Sequence, residues 1–304
     1  MKITITGASG FVGQNLSVYL KHRNHSIHEL SLRGNDWQSN LDKNSEAIIH
    51  LAGKAHDTEN TSEEKAYFEI NRDLTIALFQ EFLKSEAKDF FYFSSVKAVA
   101  DTADEVVNEE IKPNPLTPYG KSKYEAEQYL LAQQLSEGKR LFIIRPCMIH
   151  GPGNKGNLNL LYKVVEKGIP WPLSKFENQR SFLSIDNLSY LILEMLNKPT
   201  IPSGIYNFAD DDSLSTNDLI RVINQALGKK AKFLPISKGL LENLAKVGDK
   251  IGLPLNSERL KKLTESYVVS NQKIKEILEI EKLPQTAQEG IIKTIKSFKT
   301  GSCN

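Results

Sequence analysis

Gly7-Ala8-Ser9-Gly10-Phe11-Val12-Gly13 follows the apolar run Lys2–Thr6 and opens the amphipathic pattern Val12–His22. A short apolar run, a turn holding three glycines and a helical period together make a strand–turn–helix unit. Gly7 supplies a backbone angle that other residues avoid, Gly10 lets the main chain approach an anion closely, and Gly13 permits tight packing of helix on strand. The unpaired N–H groups and positive end of the helix then face the anion. At the first strand–helix turn, such a stretch predicts the pyrophosphate cradle of a dinucleotide. Its spacing is G-x-x-G-x-x-G rather than G-x-G-x-x-G.

Outward from this turn the first half alternates short apolar runs with helical periods, the pattern of a parallel sheet covered by helices. Strands are predicted at Lys2–Thr6, Ser26–Leu32, Ala47–Leu51, Asp89–Ser94 and Leu141–Arg145, with helices over Glu63–Ser85 and Tyr119–Glu137. Beyond Gly151 a Gly/Asn-rich loop leads to a helix at Leu160–Lys167, strands at Ser181–Ile185 and Gly204–Phe208, and a helix at Asn217–Leu227. From Ser237 the chain is largely helical. The expectation is an α/β protein: a doubly wound parallel sheet over 1–165 and a smaller, mostly helical lobe over 166–304, the two exchanging strands.

The 304 residues carry a formal charge of +2, with 40% hydrophobic and 25% charged residues, which suits a globular chain and argues against disorder or a nucleic-acid partner. The lysine-rich C-terminal third also holds many glutamates, as a solvated helical surface does. No stretch approaches the roughly 18 apolar residues of a membrane span. The start is too short for a signal peptide. Cys147 and Cys303 are the only cysteines, so neither a disulfide framework nor a zinc site is expected. The chain reads as a soluble cytoplasmic protein without a metal.

The residue that would meet the adenosine ribose lies at the end of the second strand, about 20 residues past the glycines. Ser31 stands there with Arg33 two residues on, and a hydroxyl with a guanidinium suits a 2′-phosphate. NADP(H) is therefore favoured; Glu29 or Asp36 in that place would favour NAD(H).

Tyr119-Gly120-Lys121-Ser122-Lys123 opens a predicted helix just after Pro118. Tyr119 and Lys123 are one turn apart on one face. A phenol titrates near pH ~10, and a neighbouring ammonium with an oxidised nicotinamide would pull it down. The phenol then takes an alcohol's proton, or gives one to a carbonyl as hydride arrives. Ser94 and Ser95 end the aromatic strand, where ligands bind in open α/β sheets, and either could hold the substrate oxygen.

The glycine turn, Ser94-Ser95 and Tyr119-x-x-x-Lys123 together resemble the extended short-chain dehydrogenase/reductases of the NAD-dependent epimerase/dehydratase family. The likeness runs over almost the whole chain. His50-Leu51-Ala52-Gly53, Asn71 to Thr75, Arg145-Pro146 through His150-Gly151-Pro152-Gly153, Arg180-Ser181-Phe182 with Ile185-Asp186-Asn187, and Gly204-Ile205-Tyr206-Asn207 each resemble a family segment. His150 stands where the family usually has tyrosine.

Val96-Lys97 replaces the Asp-Glu pair of the sugar 4,6-dehydratases, which removes the acid/base pair needed to expel water. Val96 also replaces the hydroxyl that many epimerases carry one residue past the paired serines. The run Ser94-Ser95-Val96-Lys97 is most similar to the nucleotide-sugar 4-reductase/4-epimerase branch of O-antigen and capsule synthesis.

The resemblance implies a Rossmann-type fold and cofactor contacts from Gly7, Ser9, Gly10, Phe11, Val12, Gly13, Ser31, Arg33, Leu51, Ala52, Gly53, Asn71, Ser94, Tyr119, Lys123 and Pro146. Tyr119 would be the acid/base, Lys123 its modulator and ribose anchor, and Ser95, with Ser94 as the alternative, the orienting hydroxyl. Substrate contacts would come from Ser95, Lys97, Asn157 and Arg180, the last neutralising a diphosphate. Trp171 and Pro172 would either flank a uracil or pack the lobe.

The implied reaction is hydride transfer at C4 of a UDP-linked hexose, by a 4-keto reductase or a 4-epimerase with tightly bound NAD. A non-catalytic NADP-sensing regulator is the alternative of another class, disfavoured by the retained Tyr/Lys pair. The family favours a homodimer through paired helices, one of them Tyr119–Glu137.

Overall fold

The computed structural model describes residues 1–34, 36–54, 63–154, 158–251 and 256–300. Asn157, with its neighbours Lys155 and Gly156, lies outside the described residues. The elements run β1 (Lys2–Thr6), α1 (Phe11–Lys21), β2 (Ser26–Leu30), β3 (Ala47–His50), α2 (Glu64–Phe68), α3 (Leu74–Lys84), β4 (Asp89–Phe93), α4 (Pro118–Leu131), β5 (Arg140–Pro146) and β6 (Met148–His150). They continue with α5 (Leu158–Glu166), β7 (Arg180–Ser184), α6 (Ile185–Asn197), β8 (Gly204–Phe208), β9 (Ser213–Leu214), α7 (Thr216–Leu227), α8 (Lys238–Ile251), α9 (Ser257–Thr264), α10 (Gln272–Leu278) and α11 (Ala287–Thr300).

Six strands form one parallel sheet in the order β2-β1-β3-β4-β5-β8. The inner strand β4 is buried along its whole length, which is why it reads as an unbroken aromatic run, whereas the edge strand β2 is partly exposed. Phe91 and Phe93 pack with Ile5, Ile49 and Phe142 on one face, while Phe90 and Tyr92 pack with Ile48, Phe79 and Ile143 on the other. The chain leaves β1 in opposite directions towards β2 and β3, so the crevice at their carboxyl ends is a topological switch point. The doubly wound α/β architecture is therefore the one expected.

β8 comes from the second half of the chain yet completes this sheet beside β5. A second, three-stranded sheet has the order β6-β7-β9. It packs with α5, α7, α8 and α11 around a separate core that includes Leu161, Trp171, Phe182, Ile223, Leu241 and Ile295.

Two local features depart from the sequence expectation. The predicted helix Glu63–Ser85 contains a π-helical turn, Glu69–Asp73, between α2 and α3. That wider turn rotates Asn71 inward. The helix from Tyr119 stops at Leu131 rather than Glu137, and Gly138 takes the positive φ of 81° that turns the chain into β5.

Candidate active site

The glycine turn lies at the switch point. Gly7 has φ of 68°, and a Cβ there would sit 2.7 Å from the Ala52 nitrogen and 2.9 Å from the Leu51 carbonyl carbon. Close approach of the β1 and β3 ends thus requires glycine on two counts. At Gly13 a Cβ would overlap the Gly7 oxygen and come within 2.6 Å of the Ala8 Cα, so α1 seats directly on the turn.

A groove of about 680 Å³ runs over this surface. Gly7, Ser9 and Gly10 line one part, Ser31 and Arg33 another, and Leu51, Ala52, Gly53 and Lys54 the floor. No side chain caps the start of α1 and its first turn holds no acidic residue, so its amide end suits an anion. These features fit a dinucleotide. Glu29 also lines the groove, but its carboxylate pairs with Lys21 at 3.2 Å. Phe11 and Val12 begin α1 and pack on the core, with Phe11 against Gly151.

Tyr119 and Lys123 share the inner face of α4. Thr117 caps that helix by accepting a bond from the Gly120 amide at 3.2 Å, and Pro118 occupies its first position. Asp101 fixes the cap in turn, accepting from the Leu116 and Thr117 amides and from the Thr117 hydroxyl at 2.7, 3.1 and 2.8 Å. The Ser95 hydroxyl is hydrogen-bonded to the Tyr119 phenol, and the Tyr67 ring meets the Tyr119 ring edge-on at 6.3 Å. Of the two candidate hydroxyls, Ser95 faces Tyr119. It also accepts from the Lys97 amide at 3.2 Å, capping the 3₁₀ turn Val96–Ala98.

The expected lowering of the phenol pKa is not found in the free protein. Burial pushes Tyr119 up, the Ser95 hydrogen bond opposing it, so the phenol holds its proton at neutral pH. Lys123 donates to the Phe93 carbonyl at 2.8 Å and lies 5.0 Å from the Tyr92 ring centroid. Burial lowers it to about 8, with Glu127 acting in the opposite direction. A Cβ at Gly53 would stand 3.1 Å from the Lys123 Nζ, so glycine is what admits this ammonium.

Ser94 points the other way. Its hydroxyl donates to Glu127 at 2.5 Å, and the same carboxylate receives two bonds from Arg145, at 2.9 and 2.5 Å. Asn71 is fully buried and brackets the main chain of Lys54, accepting from its amide at 2.7 Å and donating to its carbonyl at 3.1 Å. A further bond reaches Ser122. Asn71 therefore builds the turn at the groove floor and does not face the groove. Pro146 ends β5 in register with Phe208.

Of the residues expected to meet the substrate, Lys97 donates to the Asp101 carbonyl at 2.6 Å and sits 4.3 Å from the Tyr267 ring centroid. Arg180 starts β7 and donates to the Lys262 carbonyl. Burial lowers the pKa of both cations, and the charge of Arg180 lowers Lys97 further. Tyr267, which the sequence did not single out, joins the two halves: its hydroxyl reaches the Val96 and Ala100 carbonyls at 3.0 and 2.8 Å, and its main chain pairs with Arg180. Trp171 belongs to the core of the second lobe and bridges to Phe233, so lobe packing is its role rather than base stacking. Among the described residues no His/Cys/Asp/Glu group could hold a metal, and no helix is long and apolar enough to cross a membrane.

The model of the NAD dependent epimerase/dehydratase family matches residues 3–209. A UDP-glucose 4-epimerase of Vibrio cholerae is 31% identical over 97% of this chain and 95% of its own. A GDP-6-deoxy-D-mannose reductase of Pseudomonas aeruginosa is 27% identical over 73% of this chain and 79% of its own. The crystal structure of UDP-glucuronic acid 4-epimerase from Bacillus cereus in complex with NAD superposes with a TM-score of 0.74 at 17% identity, covering 99% of both chains, which establishes the fold. With the glycine groove and the Tyr119–Lys123 face already in place, this chain belongs to the NAD-dependent epimerase/dehydratase family.

Proposed function

We propose that the protein transfers hydride at C4 of a UDP-linked hexose, as a 4-keto sugar reductase that uses NADPH. The observation that carries the reading is the placement of Ser31 and Arg33 along the groove while Glu29 is held by Lys21. A hydroxyl and a guanidinium favour a 2′-phosphate, and a reductase must exchange its cofactor at each turnover. The protonated state of Tyr119 agrees, because carbonyl reduction needs a proton donor.

When bound, the nicotinamide would supply the hydride. Tyr119 donates its proton to the C4 oxygen. Ser95, bonded to that phenol, orients the same oxygen. Lys123 holds positive charge one turn below Tyr119 and stabilises the phenolate left behind. Ser9, Gly10 and the open end of α1 hold pyrophosphate, and Lys123 faces the ribose beside Gly53. Arg180 neutralises the substrate diphosphate, with Lys97 beside the sugar.

A 4-epimerase is the second reading, favoured by the relative from Vibrio cholerae over nearly the full chain. Incubation with NADPH and a UDP-4-keto-6-deoxyhexose separates the two. A reductase consumes NADPH in step with product. Interconversion of UDP-hexose epimers without NADPH consumption would replace it by the epimerase.

A further inference from the structure

Tyr119, Lys123 and Glu127 stand at successive turns along one face of α4. Glu127 is fully buried and forms a two-bond ion pair with Arg145 of β5, itself 1% exposed. The same carboxylate accepts from Ser94, at the end of the strand whose next residue is Ser95. An ion pair this deep is a costly way to stabilise a fold, since both charges must leave water. Its place beneath the ammonium suggests another use.

We propose that Glu127 is a positioning residue that keeps Lys123 charged and fixes the strand end carrying Ser95, with Arg145 holding the carboxylate in place; this rests on the reading of Tyr119 and Lys123 as the acid/base pair. Every group packed on Lys123 fits. From β4 come the Tyr92 ring and the Phe93 carbonyl, which are uncharged. From β3 comes His50, bonded to Thr6 and Thr75 and pushed by burial to about 3, hence neutral. From the π turn comes the neutral Asn71. On α4 itself Tyr119 is a protonated phenol. Among the described residues Glu127 carries the carboxylate that raises the Lys123 pKa against burial. Without it the ammonium would give up its proton near neutrality, and Tyr119 would lose the charge that supports its phenolate.

The test compares Glu127→Gln, Glu127→Asp and the double variant Glu127→Gln/Arg145→Met, which removes the cation that the single change would strand. Thermal melting checks each fold. Lysines labelled at Cε are titrated by NMR, with Lys123→Met assigning the signal; this needs no substrate. The wild-type midpoint is expected at about 8. In Glu127→Gln and in the double variant it should fall by roughly one pH unit or more, and Glu127→Asp should keep it.

The alkaline limb of turnover should move down in pH by the same amount. At pH ~8 kcat should fall about fivefold or more with KM nearly unchanged, and acidification should restore most of it. An unchanged Lys123 midpoint in a folded Gln variant, or a rate loss equal at every pH, would overturn the proposal. A wild-type enzyme inactive on nucleotide sugars would instead refute the functional reading, while the Lys123 titration would still decide the coupling.

Discussion

The two sides of the cleft are built from different materials. The proposed cofactor side is made largely by main chain: Gly7, Gly10 and Gly13 remove side chains so that strand ends, turn and helix can touch, and most of the groove is lined by residues at the ends of β1, β2 and β3. The proposed substrate side is made by side chains reaching across the sequence. Arg180 bonds the carbonyl of Lys262, and Tyr267 bonds those of Val96 and Ala100, residues 171 and 167 positions away. Main-chain sites tolerate no added atom, whereas cross-chain clamps can loosen by degrees. Substitutions on the two sides should therefore fail differently.

The largest effect is expected where the sides meet. Tyr119→Phe should lower turnover by roughly 10²–10⁴-fold while NADPH affinity stays nearly intact; steady-state kinetics beside fluorescence titration of the cofactor reads both. Undiminished turnover would remove Tyr119 from the chemistry. Next comes the main-chain side. Gly7→Ala puts a Cβ into the Ala52 main chain at positive φ, strain of about 1–3 kcal/mol. Cofactor affinity should drop about 10–100-fold, and melting temperature should fall as well. Native affinity in that variant would mean that the turn does not touch the cofactor.

Arg33→Ala sharpens the same side. Losing a charge-assisted contact costs about 1.5–3 kcal/mol, so NADPH affinity should fall tenfold or more while NADH affinity holds. Equal loss for both would return the cofactor preference to NAD. The smallest effect belongs to the clamp. Tyr267→Phe removes a hydroxyl bonded to the Val96 and Ala100 carbonyls, at the turn that follows Ser95, a net loss of about 1 kcal/mol. Turnover should fall a few-fold with cofactor affinity unchanged; a matching fall in affinity would show that the two sides are not separable.

That division also sets what was legible in the sequence. The strand–turn–helix unit around Gly7 and the Tyr119–Lys123 spacing are local patterns, and β1, α1, β4 and β8 lie within a residue or two of where periodicity puts them. Glu127 was equally readable, four residues past Lys123, but nothing in a linear pattern reveals that Arg145 and Ser94 converge on it. The π turn at Glu69–Asp73 carries no composition signal, so the bracing of the Lys54 main chain by Asn71 was not legible. The paired serines, just past the end of β4, could not be told apart in the sequence; they turn opposite ways, Ser95 to Tyr119 and Ser94 to Glu127. Lowering of the Tyr119 pKa was argued from the Lys123 ammonium together with an oxidised nicotinamide; in the free protein burial dominates and pushes the phenol up.

The central claim is direct hydride transfer at C4 with Tyr119 as proton donor. NADPH deuterated at its transferable C4 position, incubated with a UDP-4-keto-6-deoxyhexose and followed by mass spectrometry, tests it most directly. One deuterium at C4 of the product is expected for each NADPH consumed. Product without deuterium, or epimer exchange with the label left on NADPH, would contradict it.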